Sequence, residues 1–163
     1  MGDEGDIGDE PYFDYIVYGR PPSTQLQSRG SNPRPKKEAG LPAWRATIAD
    51  AIREARDTYS GGYFLEDDVV RLDLFWVYDE KNANDPDPDN MVKPFKDELE
   101  GVLFDDDRVV KEMHLFKFSL REPEQLDMRA EKLDDAFASN REFVYVRVTR
   151  IKRDAIRVVG FVK

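Results

Sequence analysis

Apolar and polar positions alternate most cleanly from Val69 to Tyr78. Val70, Leu72, Leu74, Trp76 and Tyr78 fall on one side, and Val69, Arg71, Asp73, Phe75 and Val77 on the other. A period of two is the signature of a strand. Phe143 to Ile151 alternates the same way, and Tyr12 to Tyr18 is an aromatic and β-branched run ending at Gly19. Between the first two of these stretches in the chain, the spacing changes to three and four. Leu41, Trp44, Ile48, Ile52, Ala55 and Tyr59 mark one face of a helix over 41–59, with Arg45, Arg53 and Arg56 on its other face and Gly61-Gly62 beyond its end. Trp44 lies on the apolar stripe and reads as core.

The later elements are less regular. A helix is expected from about Asn90 to Glu100, capped by Asp89 or Asn90, with Pro94 in or near its first turn and Gly101 as its stop. Val109 to Leu120 reads as a strand, Pro123 to Ala138 as a helix, and Ile156 to Val162 as a final strand. The order of elements predicts an α+β fold: a single domain with a mixed sheet of about four to five strands, packed by two or three helices. The domain is placed at 11–163. Beyond Met1, residues 1–10 hold one large apolar residue, Ile7, among acids and glycines, and are expected to be a disordered acidic tail.

Composition narrows the chemistry. The 163 residues include no cysteine, which excludes disulfides, thiolate metal sites and cysteine nucleophiles. No apolar run reaches the length of a membrane span, and the acidic start is unlike a signal peptide, so a soluble cytoplasmic protein is expected. A net charge of −9 argues against a nucleic-acid partner until its distribution is considered. Residues 1–10 carry −5, the segment Arg20–Arg56 carries +5 and the segment Arg147–Lys163 carries +5. Two basic segments therefore flank an acidic middle, and clustered cations matter more to phosphate than the overall balance. Arg29, Lys36 and Lys37, in a loop rich in proline and glycine, are the candidate nucleic-acid-binding residues.

The acidic middle centres on Asp85-Pro86-Asp87-Pro88-Asp89-Asn90, with Lys93 and Asp97 after it and Asp105-Asp106-Asp107 closing it. Three readings compete. Asp, Asn and Pro are turn formers, so a surface turn is one. A calcium loop of the EF-hand kind is another, but Lys96 stands where its bidentate glutamate belongs. The third is a carboxylate site for Mg²⁺, in which Asp87 and Asp89 reach one cation from alternate positions of an extended segment and Asp106 or Asp107 completes the set. Gly101–Asp107 would supply the return that brings the last of these back. Lys93 adds the point charge that phosphate chemistry uses. On composition alone, turn and metal site stand level. His114, a lone histidine within a strand pattern, reads as structural rather than as a general base.

The pattern Asp87-x-Asp89-Asn90-x-x-Lys93-Pro94-x-x-Asp97, then Gly101-Val102-Leu103-Phe104-x-Asp106-Asp107-x-x-Val110, resembles the signature of RusA-type Holliday-junction resolvases. The likeness extends weakly to the strand ending at Gly19, the Pro22-Ser23-x-Gln25 turn and the helix opening at Trp44-Arg45. It departs at Val109, where the family often carries glutamine. The resemblance implies a homodimeric endodeoxyribonuclease that nicks two opposed strands of four-way junction DNA. It implies Mg²⁺ as cofactor with Mn²⁺ as a substitute. Carried over by position, Asp87, Asp89 and Asp107 would be the essential carboxylates, Lys93 the essential lysine and Asp106 an additional metal ligand. The competing expectation is a non-catalytic junction-binding protein that keeps the fold.

Overall fold

The computed structural model describes residues 12–22, 40–80, 88–123 and 130–151, with residues 88–90 as backbone alone. The acidic segment 1–10, the loop with Arg29, Lys36 and Lys37, and the expected strand over 156–162 lie outside the described residues. Four strands form one sheet: β1 (Tyr12–Tyr18), β2 (Val69–Tyr78), β3 (Val110–Ser119) and β4 (Phe143–Ile151), in the spatial order β1-β4-β2-β3. β4 runs antiparallel to both neighbours, while β2 and β3 are parallel, so the sheet is mixed. With helices α1 (Leu41–Thr58), α2 (Pro88–Leu99) and α3 (Glu131–Ala138), the architecture is α+β.

Alternation along the strands sorts the core into two layers. On one face Val70, Leu72, Leu74 and Trp76 of β2 meet Trp44, Ile48 and Ile52 of α1 and Met91, Phe95 and Leu99 of α2. On the other, Phe75 and Val77 of β2 and Phe143 and Tyr145 of β4 meet Leu133 and Ala136 of α3. β2 is buried on both sides, which explains its nearly continuous apolar run. α1 and α2 are tied to each other as well: Trp44 and Phe95 meet edge to face with centroids 6.0 Å apart, and Arg45 Nε donates to Glu98 Oε1 at 2.7 Å. Gly19 closes β1 at φ +118°, with the Trp44 ring so near that an added Cβ would stand 3.3 Å from it.

The structure corrects several boundaries. α2 opens at Pro88, two residues before the expected start, with proline at its first position. Asp89 and Asn90 therefore lie in the first turn rather than capping it. Pro94 sits inside the helix, where it cannot donate to the carbonyl of residue 90. Gly101 ends the element as expected, at φ +83°, and the N–H groups of Val102 and Leu103 donate back to the Leu99 carbonyl. Val109 belongs to a 3-10 turn, Asp107–Val109, so β3 begins one residue later than the alternation suggested. The helix expected over 123–138 is described as α3 from Glu131 onward, with 124–129 outside the described residues.

Parallel pairing also corrects the expected path of the chain. Val110 pairs with Val70, so β3 starts beside the start of β2. The whole connection from Tyr78 to Val110, with α2 inside it, returns the chain to that end. Gly101–Asp107 is a tight turn on the way, bridged at Phe104 to Phe64 and Glu100.

Candidate active site

α2 carries the described part of the acidic motif. One helical face repeats at intervals of three and four, which puts positions 89, 93 and 96 in line. At 1.5 Å per residue this line is about 10 Å long from 89 to 96. Its register is held from behind, where Met91, Phe95 and Leu99 are buried against α1 and the sheet. The core thus fixes which side of α2 faces outward.

Lys93 and Asp97 meet as their spacing predicts. Lys93 Nζ donates to Asp97 Oδ2 at 2.7 Å, and an Arg45 guanidinium nitrogen stands 3.9 Å from the same oxygen. The Lys93 side chain is otherwise largely exposed. One turn further on, Lys96 Nζ lies 3.1 Å from Asp107 Oδ2. This contact joins α2 to the turn before β3 and brings the motif's second half against its first.

The acidic triplet splays to three different partners. Asp105 accepts from the Tyr63 hydroxyl at 2.8 Å. Asp106 caps the 3-10 turn, accepting from the Arg108 backbone N–H at 2.9 Å, and binds the Arg108 guanidinium at 2.9 and 2.8 Å. Those Arg108 bonds hold the Asp106 carboxyl below its ordinary pKa, the side-chain bond first and the backbone bond second. Asp105 and Asp106 border an open cleft of about 560 Å³ that Glu66, Asp68, Arg108 and Lys111 also line. Asp107 alone of the three turns to α2.

The expected site residues divide accordingly. Asp87 and the loop cations Arg29, Lys36 and Lys37 lie outside the described residues, and Asp89 is placed by its backbone in the first turn of α2. Lys93 and Asp107 both lie along α2, each engaged by an oppositely charged partner. Asp106 faces away toward Arg108. Among the described residues no group of three or more Asp, Glu or His side chains converges on a point that could hold a metal. Asp107 does fit a hard divalent cation: its side chain is about one-third exposed and one carboxylate oxygen already holds a positive charge.

Sequence reasoning passed over Lys96 as a member of the site. Its spacing of three from Lys93 and seven from Asp89 was the available signal. Val109, where the resemblance departs from its family, is buried in the main core, so that position offers no polar group to the site. His114 lies on β3 with its Nδ1 3.0 Å from Asp73 Oδ1, on the sheet face opposite α2. That arrangement agrees with a structural role.

The comparisons bear on the same segment. The family model for the endodeoxyribonuclease RusA matches residues 34–126, more than half of the chain, and takes in α1, β2, α2 and β3. No curated protein matches the chain. Among the described residues, no helix is long and apolar enough to cross a membrane.

Proposed function

The chain belongs to the RusA endodeoxyribonuclease family, a family of Holliday-junction-resolving endonucleases; on that premise we propose that it is a Mg²⁺-dependent enzyme that cuts four-way junction DNA by paired nicks. The observation that carries this reading is the contact of Lys96 with Asp107, which places the last acid of the motif against the helix bearing Lys93 and position 89.

In this reading Asp87, Asp89 and Asp107 hold Mg²⁺ through hard carboxylate oxygens, with Mn²⁺ able to replace it. A bound Mg²⁺ supplies an activated water and neutralises charge on the phosphoryl oxygens. Lys93 leaves Asp97 and sets its ammonium on the scissile phosphate, while Asp97 remains anchored by Arg45. The expected products are a 5′-phosphate and a 3′-hydroxyl. A four-way junction is two-fold symmetric, so a homodimer offers one site to each of two opposed strands. Arg29, Lys36 and Lys37 contact the backbone phosphates on either side.

Synthetic junctions incubated with Mg²⁺, Mn²⁺ or Ca²⁺ test the reading. Asp87→Asn should abolish nicking while junction binding persists. Nicking that survives this substitution would remove Asp87 from the site. Junction binding by the unaltered chain without any nicking would leave a non-catalytic binder.

A further inference from the structure

We propose that Lys96 is an exchangeable counter-ion of this site: its ammonium holds Asp107 until a divalent cation takes that carboxylate, and then turns to DNA phosphate. The inference rests on the reading of Asp107 as a metal ligand. Its starting point is an asymmetry within the triplet. Asp105 and Asp106 are satisfied by Tyr63 and Arg108, neither of which belongs to α2, whereas Asp107 is paired to a cation of the motif helix itself. Lys93, one turn away, is held by Asp97 instead. The two lysines thus stand on one helical face, each kept by a carboxylate of its own.

Charge and chain chemistry make this pair suited to exchange. Lys96 Nζ stands 3.1 Å from Asp107 Oδ2, and the two side chains are 25% and 36% exposed. Partly solvated pairs of this kind contribute little, so a small ion of twice the charge displaces the ammonium at low cost. Lysine is a compact charge on a flexible four-carbon stem, free to swing through several ångströms once released. The phosphate backbone that the metal site would engage is the nearest new anion. Arriving metal would therefore free the Lys96 ammonium, while Lys93 stays on Asp97 until a phosphate draws it away.

The sign of one measurement separates exchange from a mere clamp. Full-length K96M is titrated with Mg²⁺ alone, read by thermal shift and calorimetry. Loss of a competing cation should lower the half-saturating Mg²⁺ concentration by about two- to five-fold, the range that an exposed ion pair spans. K96R keeps a cation and should stay near the unaltered chain. In Ca²⁺, junction binding by K96M should weaken, and the slope of log affinity against log salt should shrink by about one. If Lys96 only braces Asp107, K96M loosens the carboxylate and Mg²⁺ binds more weakly or equally, which overturns the proposal. Should K96M be misfolded by circular dichroism, K96Q carries the same test. Mg²⁺-supported nicking by the unaltered chain with an unmoved K96M midpoint refutes exchange alone. An unaltered chain that neither binds Mg²⁺ nor nicks refutes the site reading and this inference together.

Discussion

Asp73 on β2 and His114 on β3 are register partners across the parallel pair, with Asp73 Oδ1 3.0 Å from the imidazole Nδ1. A carboxylate only accepts, so this contact places the histidine proton on Nδ1. The other oxygen, Oδ2, accepts from Arg71 Nε at 2.9 Å, which leaves a nearly buried acid with a partner on each oxygen. Asp73→Ala should cost about 1–3 kcal/mol, because two donors lose their acceptor at once. His114→Ala, with a half-exposed side chain, should cost less than about 1 kcal/mol. Urea midpoints measure both. Junction nicking by His114→Ala should match the unaltered chain, since the pair lies on the far face of the sheet from α2.

Phe95→Ala tests how far the core sets the site. Phe95 is fully buried, packs edge-on to Trp44, and lies between Lys93 and Lys96 on the helix. Truncating a buried aromatic costs about 3–5 kcal/mol. Nicking should fall more steeply than the folded fraction does, because α2 loses the anchor that turns its lysines outward. Equal losses in both would mean that the face is held by other contacts.

Gly101→Ala isolates backbone strain from crowding. The residue sits at φ +83°, yet an added Cβ would meet no atom within 4 Å. The expected cost is therefore only that of a left-handed alanine, roughly 1 kcal/mol. A much larger loss on chemical denaturation would reveal contacts in the 101–107 turn that the packing does not suggest.

Two tyrosines of the sheet should respond oppositely to loss of the hydroxyl. Tyr15 Oη is buried with no hydrogen-bond partner among the described residues. Tyr145 Oη donates to Asp14 at 2.8 Å and accepts from Arg147 at 3.0 Å. Tyr15→Phe should leave stability unchanged or raise it by up to about 1 kcal/mol, whereas Tyr145→Phe should lower it by about 1–2 kcal/mol. Burial is the leading cause that raises both phenol pKa values, with Glu98 adding to it at Tyr15 and Asp14 at Tyr145. Folded-state pKa values above the unfolded value of about 10 mean that the unfolded chain releases protons first. Stability should accordingly be intact below pH 10 and fall as pH rises beyond it. Ultraviolet titration checks this: both phenols should ionise only with alkaline unfolding.

Periodicity carried much of the fold. β1, β2 and β4 fall where alternation placed them, because each has a face whose exposure differs from the other or a long apolar run through the centre. Strand order and the parallel pairing of β2 with β3 left no mark on periodicity, since side-chain alternation is the same in either direction. α2 was misplaced by two residues because Asp89 and Asn90 resemble capping residues while Pro88 supplies an equally good first position. In the site, the Lys93–Asp97 pair was legible from its spacing of four. Lys96 with Asp107 was not, because that contact depends on how the 101–107 turn folds back rather than on any local interval.

The interior position of β4, between β1 and β2, has a consequence for biosynthesis. The strand that joins β1 to β2 comes after both in the chain, and Tyr12 pairs with Thr149 across nearly its whole described length. A ribosome-bound fragment ending before residue 143 would hold β1 and β2 with the ladder between them still empty. Such a nascent chain exposes two open strand edges, a liability for edge-to-edge pairing that lasts until β4 emerges and fills the gap.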